Sequence, residues 1–473
     1  MMGRKKFDMK QYHNLSLDDL VSPNDLYRKI DEAIDFSFIH DLAKESYSHT
    51  GQPSLDPIVF FKIELVGFLE GIHEDRALER RIKDSLAIRW FLGYDLDETL
   101  PVHSTISRTR RDRISKTVYQ AVFDYILGIC IRHQLVKGHH QSIDSTLLKA
   151  NASLNSLEAL QPKVLAHYEK IMASNSSEDS PQDPSSNPPQ VSSSKPMRRD
   201  PEAKIAKKPG FPRALYYKAS TSVDETCGVI THAQVDDGSK NDAELFKPIV
   251  SRTKKRMESL GLSFQSLGAD QGFYSAENLK FLDQERLTGY LPVRFQPNNT
   301  GGFDRSRFRY DFEKDQFVCP GGKILKFKQY HSQYPHQKKY QAREKDCRLC
   351  PQKPQCTSVK FRTIQRSIHD DLIQAAIQRC QSQEGGKAEL LRQTQAEGAY
   401  AHIKEILKFR KLYSLGLENA RKKFLMACSV INLKKLLQVP RWLNERFCQL
   451  SSQFFALFKE RTRLRPCLGF IQP

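Results

Sequence analysis

The amino-acid sequence predicts an α/β protein with an all-helical N-terminal domain, a strand-and-helix core, and a cysteine-rich insertion before a last helical segment. Three observations predict it. Residues 1–135 show helical apolar spacing and no strand signal. From residue 139 short extended runs alternate with helices, and four cysteines gather between residues 319 and 356. Composition sets the bounds: among 473 residues, 74 Lys plus Arg stand against 55 Asp plus Glu, a formal net charge of +19. That balance favours a polyanionic partner, nucleic acid first. No run approaches the roughly 18 apolar residues of a membrane-crossing helix, so no membrane partner is expected. The start, Met-Met-Gly-Arg-Lys-Lys-Phe-Asp, lacks the apolar segment of a secretory signal. Ten cysteines in so long a chain do not make a disulfide scaffold and point to a reducing cytosol.

Taken in order, Asp56-Pro57 opens a helix, with Pro in the first turn where its missing N–H costs nothing. Phe61, Leu65, Phe68, Leu69 and Ile72 then keep helical spacing. Residues 75–92 predict a second helix carrying Arg76, Arg80, Arg81, Lys83 and Arg89. A third begins at His103, with Ser104 or Thr105 as N-cap, and residues 117–133 form an apolar helix. Such a domain with basic edges suits docking on DNA, with Arg76, Arg80, Arg108, Arg110 and Arg111 as candidate contacts. The plain alternative is a helical oligomerisation domain.

Gln141 to Ser145 reads as a short strand delivering Asp144, and residues 155–173 as helical. In residues 174–196, 14 of 23 positions are Ser or Pro, a composition that cannot bury a core and predicts a disordered linker. Leu215 to Val223 and Val229 to Val235, joined by Asp224-Glu-Thr-Cys-Gly228, predict a β-hairpin. Asn241-Asp242 opens a helix, Ser263 to Ala269 is a strand delivering Asp270, Ser275 caps a helix to about Gln284, and Leu287 to Val293 is a further strand. This is the element order of a ribonuclease H-like fold. There the first acid lies on the first strand, the second at the end of the fourth, and the third on a later helix. Glu397 fits the last place: on a helix over 390–411, Glu397, Tyr400, Ala401 and Lys404 fall on one face. A lone Glu with a Lys seven residues on is more often a solvated pair; here two Asp at strand ends accompany it. Carboxylates gathered from distant segments can hold two divalent cations that activate water or a 3′-hydroxyl in phosphoryl transfer.

The insertion carries Cys319 and then Cys347-x2-Cys350-x5-Cys356, which could hold a structural Zn²⁺, although only the x2 pair has tight spacing. Four reduced thiols without metal are the alternative. The domain boundaries implied are 1–135, 136–298, 299–385, 386–440 and a 441–473 tail.

Several segments together resemble the transposases of bacterial insertion sequences in the DDE class. They are Asp144-Ser-Thr-Leu-Leu-Lys-Ala-Asn-Ala-Ser153, Asp200-Pro-Glu-Ala-Lys, Tyr217-Lys, Ala269-Asp-Gln-Gly-Phe-Tyr-Ser275, Arg392-Gln-Thr-Gln-Ala-Glu-Gly398, Leu415-Gly-Leu-Glu-Asn and Asn432-Leu-Lys-Lys-Leu436. The branch resembled has a helical N-terminal domain and a cysteine-rich insertion before the catalytic Glu. The resemblance implies a prokaryotic cytosolic, nucleoid-associated enzyme that binds double-stranded DNA at terminal inverted repeats as a homo-oligomer and transfers strands to target DNA. By position it makes Asp144, Asp270 and Glu397 the catalytic ligands of Mg²⁺, with Mn²⁺ able to substitute, and Lys404 the phosphate-contacting lysine. In related branches Arg stands four residues before the Glu. Here that position is Gln393, and Arg392 would reach phosphate from an adjacent face. A decayed DNA-binding copy, or a structure-selective nuclease of the same fold, are the other readings.

Overall fold

Helix Pro57–Glu70 begins where Asp56 accepts the N–H groups of Ile58 and Val59, and it ends at Gly71 in a left-handed conformation, φ +68°. The computed structural model describes residues 15–47, 54–152, 200, 202–208, 211–293, 302–332 and 336–438. The expected helix 155–173, the Ser/Pro stretch 174–196 and the 441–473 tail lie outside them. The chain is mixed α/β with a helical N-terminal region.

Within that region two expectations change. The stretch 75–92 is two helices, Asp75–Asp84 and Leu86–Leu92, because Ser85 leaves helical geometry and its hydroxyl accepts the Ile88 N–H. Helix His103–Arg108 has Val102 at its N-cap, so neither Ser104 nor Thr105 caps it. Its start is held from outside instead: Glu79 Oε2 takes the His103 N–H at 2.8 Å and Nδ1 at 2.7 Å. Helix Lys116–Arg132 then runs through the core.

Six strands form one sheet: β1 (His140–Lys149), β2 (Lys204–Lys208), β3 (Phe211–Asp224), β4 (Ile230–Asp237), β5 (Ser266–Ala269) and β6 (Thr288–Tyr290). β1 pairs antiparallel with β3 and parallel with β5, and β5 parallel with β6. β4 and β2 both lie antiparallel on β3. The hairpin turn needs Gly228: its φ is +69°, and a Cβ there would stand 2.1 Å from Gln395 Oε1. β1 is longer than expected, and Asp144 lies within it rather than at its end. The reason is the partner: β3 continues the pairing to Lys149, whereas β5 covers only His140–Ile143.

A second sheet is an antiparallel meander, β7 (Arg309–Asp311), β8 (Gln316–Val318), β9 (Ile324–Tyr330), β10 (Gln337–Ala342) and β11 (Thr363–Ser367), around Phe317, Leu325, Tyr340 and Ile364.

One apolar cluster joins the N-terminal helices to the first sheet and to helix Leu417–Leu437, through Phe60, Phe123, Val223, Phe424 and Leu433 among others. Inside it lies an ion cluster. Glu64, on Pro57–Glu70, accepts from Arg110 Nη2 at 2.6 Å and from Lys423 Nζ at 2.8 Å, and Arg110 also grips Asp75. Arg110 is therefore an interior residue, 5% exposed, and not the DNA contact expected of it. Lys422 and Lys423, on the last helix, are likewise buried. Burial pushes the Glu64 carboxyl up, but the charges of Arg110 and Lys423 outweigh it and hold the group at about 2.

Removing one member of a buried ion cluster strands the others, at a cost of about 3–5 kcal/mol. Urea unfolding of Glu64→Gln near neutral pH is expected to show a loss of that size. The folded carboxyl titrates below its ordinary 4.5, so its stabilisation is complete above that pH and disappears as pH falls toward about 2. The gap between wild type and variant should therefore shrink at about pH 3. A gap equal at both pH values, or under about 1 kcal/mol at neutral pH, would show that the cluster is not stabilising in this way.

Candidate active site

The parallel register sets Ile143 beside Ala269 on strands about 4.8 Å apart, so Asp144, next on β1, and Asp270, the residue just past β5, follow adjacent positions. β5 ends there, leaving the Asp144 carboxylate on the open side of β1, half-buried, with Asp270 exposed. Asp270 turns the chain and accepts the N–H of Gln271 at 2.6 Å. Behind this turn Gly272 is packed so closely that a Cβ would meet Asp242 Oδ2 at 2.9 Å. Asp242 in turn accepts from the Ser145 hydroxyl and from Lys218 Nζ at 2.7 Å.

The third carboxylate arrives on the helical run 383–406, which lies across β1. Glu397 closes a π-helical stretch, Arg392–Glu397. One turn on, the buried Tyr400 hydroxyl stands 3.1 Å from the carbonyl oxygens of both Asp144 and Ala219 and shares its proton between them. A further turn on, Lys404 Nζ donates to Thr146 Oγ1 at 2.6 Å. Thr146 is two residues past Asp144 and so on the same face of β1. These two contacts fix the helix's register on the strand and bring Glu397 to the Asp144–Asp270 pair. Burial pushes the Asp144 carboxyl up to about 6; the Ser145 N–H and Arg392 draw it down, while Asp270 and Glu397 push it up. Asp144 thus feels the charge of both other acids.

Arg392 does not extend toward solvent, as phosphate binding had suggested. Its Nη1 donates to Glu397 Oε1 at 2.8 Å and its Nη2 to Glu389 Oε1 at 2.8 Å, and its side chain is largely buried. Hydrogen bonds to Glu389 come first among the causes that hold its guanidinium above its ordinary range. Gln393, where a related branch has Arg, donates to Glu389 Oε1 at 2.8 Å.

Among the other expected residues, Arg76, Arg80 and Arg108 are exposed on the N-terminal helices, and Arg111 is exposed but paired with Asp112 at 2.6 Å. Cys319, Cys347 and Cys356 pack against the core of the second sheet, and Cys350 lies near Cys319, both within 4 Å of where a Gly321 Cβ would be. Burial pushes the Cys356 thiol up, and Cys347, Cys319 and Cys350 add to the effect. Asp242 and Lys218 were missed as parts of the site; the Tyr217-Lys motif was the one sequence signal for Lys218.

A family described as a transposase domain (DUF772) matches residues 15–112. A second, described as a transposase DDE domain, matches residues 318–437 and includes Glu397. The chain is a DDE transposase. Asp144 and Asp270 lie between the two matched stretches. No curated protein matches this transposase. Among solved structures it is similar to a piggyBac transposase synaptic complex with hairpin DNA, at 13% identity over 89% of this chain and 82% of that one, with a TM-score of 0.27. It is also similar to a Mos1 transposase paired-end complex with left transposon end, at 9% identity over 53% of this chain and 63% of that one, with a TM-score of 0.18. The fold of the transposase is described by its own strands, and similarity at these scores adds nothing to it.

Tyr400→Phe removes the hydroxyl that pins the Glu397 helix to β1. The expected stability loss is about 1 kcal/mol, measured by denaturant unfolding, with a matching rise in amide exchange along 396–404. Unchanged exchange there would show that the helix is held by packing alone.

Proposed function

We propose that this transposase binds double-stranded DNA at the inverted-repeat ends of its element and cleaves and joins strands there. Asp144, Asp270 and Glu397 are its ligands for divalent metal. The observation that carries the proposal is the β1–β5 register, which sets two carboxylates from distant segments side by side with a third held opposite them. The strand order β4–β3–β1–β5–β6, with helices between β4 and β5 and between β5 and β6, supports a ribonuclease H-like core.

An oxygen-only donor set suits Mg²⁺, with Mn²⁺ as substitute. The fit is supported by the half-buried Asp144, whose carboxyl is pushed up by burial first and by Asp270 and Glu397 after it, and would be relieved by a cation. When bound, such metals supply the charge that activates water or a 3′-hydroxyl and stabilises the leaving oxygen. The rest falls to side chains. Glu397 would hold the cation with the carboxylate that Arg392 Nη1 contacts, and Arg392, gripped by Glu389 as well, would keep a positive charge beside the site for a DNA phosphate. Lys404, on the same face as Glu397, contacts phosphate near the scissile bond. The Lys218–Asp242 pair braces the Gly272 turn that carries Asp270. Arg76, Arg80, Arg108 and Arg111 are the proposed end-binding contacts on the N-terminal helices. The enzyme works as a homo-oligomer on DNA, and the four clustered cysteines hold a structural Zn²⁺.

The test is cleavage of a labelled duplex carrying the element's own ends, with Mg²⁺ supplied. Asp144→Ala, Asp270→Ala and Glu397→Ala should each abolish nicking while end binding persists, and Ca²⁺ should support binding alone. Equal cleavage by wild type and Asp270→Ala would mean that the site lies elsewhere. End binding should weaken steeply with salt as counterions are released, and Arg76→Ala with Arg80→Ala should flatten that dependence. An unchanged salt slope would remove these helices from the DNA interface.

A further inference from the structure

The joint between the two sheets carries a cluster that the three acids do not use. Glu277 lies in the first turn of helix Ala276–Gln284, the helix that follows Asp270. His336 stands just before β10, and His369 at the N-cap position of helix Asp370–Gln381, just past β11. Sheet pairing brings the two histidines together. Gln337 is opposite Ser367 in the antiparallel ladder, and the Ile368 N–H donates to the His336 carbonyl at 2.9 Å. Their rings face one another with centroids 6.3 Å apart and planes 29° from parallel. Across the joint, His369 Nε2 is 3.8 Å from Glu277 Oε1, too far for a hydrogen bond. One ligand atom from each of the three lies within 4.8 Å of the other two.

Two neutral imidazoles and a carboxylate are the donor set of zinc and similar borderline cations. Bonds of about 2.0–2.2 Å would place such ligands about 3.4 Å apart, so closing the group needs shifts of about 1 Å. His336 and Glu277 have the exposure to make them. The nearby cations are engaged elsewhere: Arg305 and Arg366 share Asp370 Oδ2, and Arg366 also takes Asp371. Asp370 Oδ1, on the residue next to His369, is buried without a hydrogen-bond partner among the described residues, which adds negative potential at this end of the helix.

We propose that Glu277, His336 and His369 form a divalent-cation site, with zinc as the fitting ion, that fastens the second sheet to the helix following Asp270. The site leaves coordination positions open to water and is separate from both the three acids and the four cysteines. It does not rest on the reading of Asp144, Asp270 and Glu397 as metal ligands.

The full-length protein, stripped of metal with chelator and then titrated with ZnCl₂, provides the test. Wild type is expected to bind one more equivalent of zinc than His369→Ala, His336→Ala or Glu277→Gln. Cys347→Ser is expected to keep that equivalent whether or not it loses another. A second measurement needs no variant: zinc should protect His336 of the wild-type protein from diethyl pyrocarbonate, read by peptide mass. Equal zinc content in wild type and His369→Ala, or equal modification of His336 with and without zinc, would overturn the proposal.

Discussion

The architecture depends on one buried carboxylate. Glu64 is enclosed in the apolar core and would be costly there alone. Arg110 and Lys423 approach it from two other parts of the chain, and Asp75 shares Arg110. The cluster ties the first long helix, the turn after His103–Arg108 and the last helix to one point. Apolar burial around it supplies the bulk of the stability, but it does not select which helix sits where. The ion cluster adds a fixed point to that packing, and the last helix also lies against β4, with Asn432 closing the backbone of Ile230 by two hydrogen bonds of 2.8 Å.

From that frame the site follows in steps. β3 gives β1 its length. β5 stops early and opens β1 at Asp144. Tyr400 and Lys404 then set the register of the crossing helix. Each acid is delivered by a different kind of element: mid-strand, strand end and helix. Their meeting therefore reports on tertiary packing rather than on local structure. Arg392 is the internal counter-charge to this gathering, bonded to Glu397 and lowering the Asp144 carboxyl.

Much of this was legible along the chain. Asp56, Asn241 and Ser275 cap their helices as their residue types suggest, since capping is decided within one turn. The hairpin around Gly228 and the strand leading to Asp270 were readable from alternation and turn residues. Asp144 and Asp270 drew notice in strand-like runs, and Glu397 only in their company, on a helix face shared with Lys404. What was hidden depends on partners far away. Nothing local separates Arg110, bonded to residues 46 and 35 positions distant, from the exposed Arg108 beside it. The length of β1 is set by β3, more than sixty residues later in the chain. The second sheet escaped notice because β9 exposes nearly all its side chains, so its alternation is masked by lysines. Arg392 read as a phosphate ligand because its spacing to Glu397 suits either role, and the folded helix turns it inward.

The reach of the Glu64–Lys423 contact also bears on how the chain is made. The two residues are 359 positions apart. At a synthesis rate of about 5–20 residues per second, Lys423 follows Glu64 out of the ribosome by roughly 20–70 seconds. Through that interval the helix bearing Glu64 has Arg110 but lacks its second cation and the final helix that packs against it. A chain released before Lys423 leaves Glu64 with Arg110 alone, a cation that Asp75 also claims. The last pairing thus serves as a check on completeness, closing the molecule only after the segment that delivers Glu397 has been synthesised.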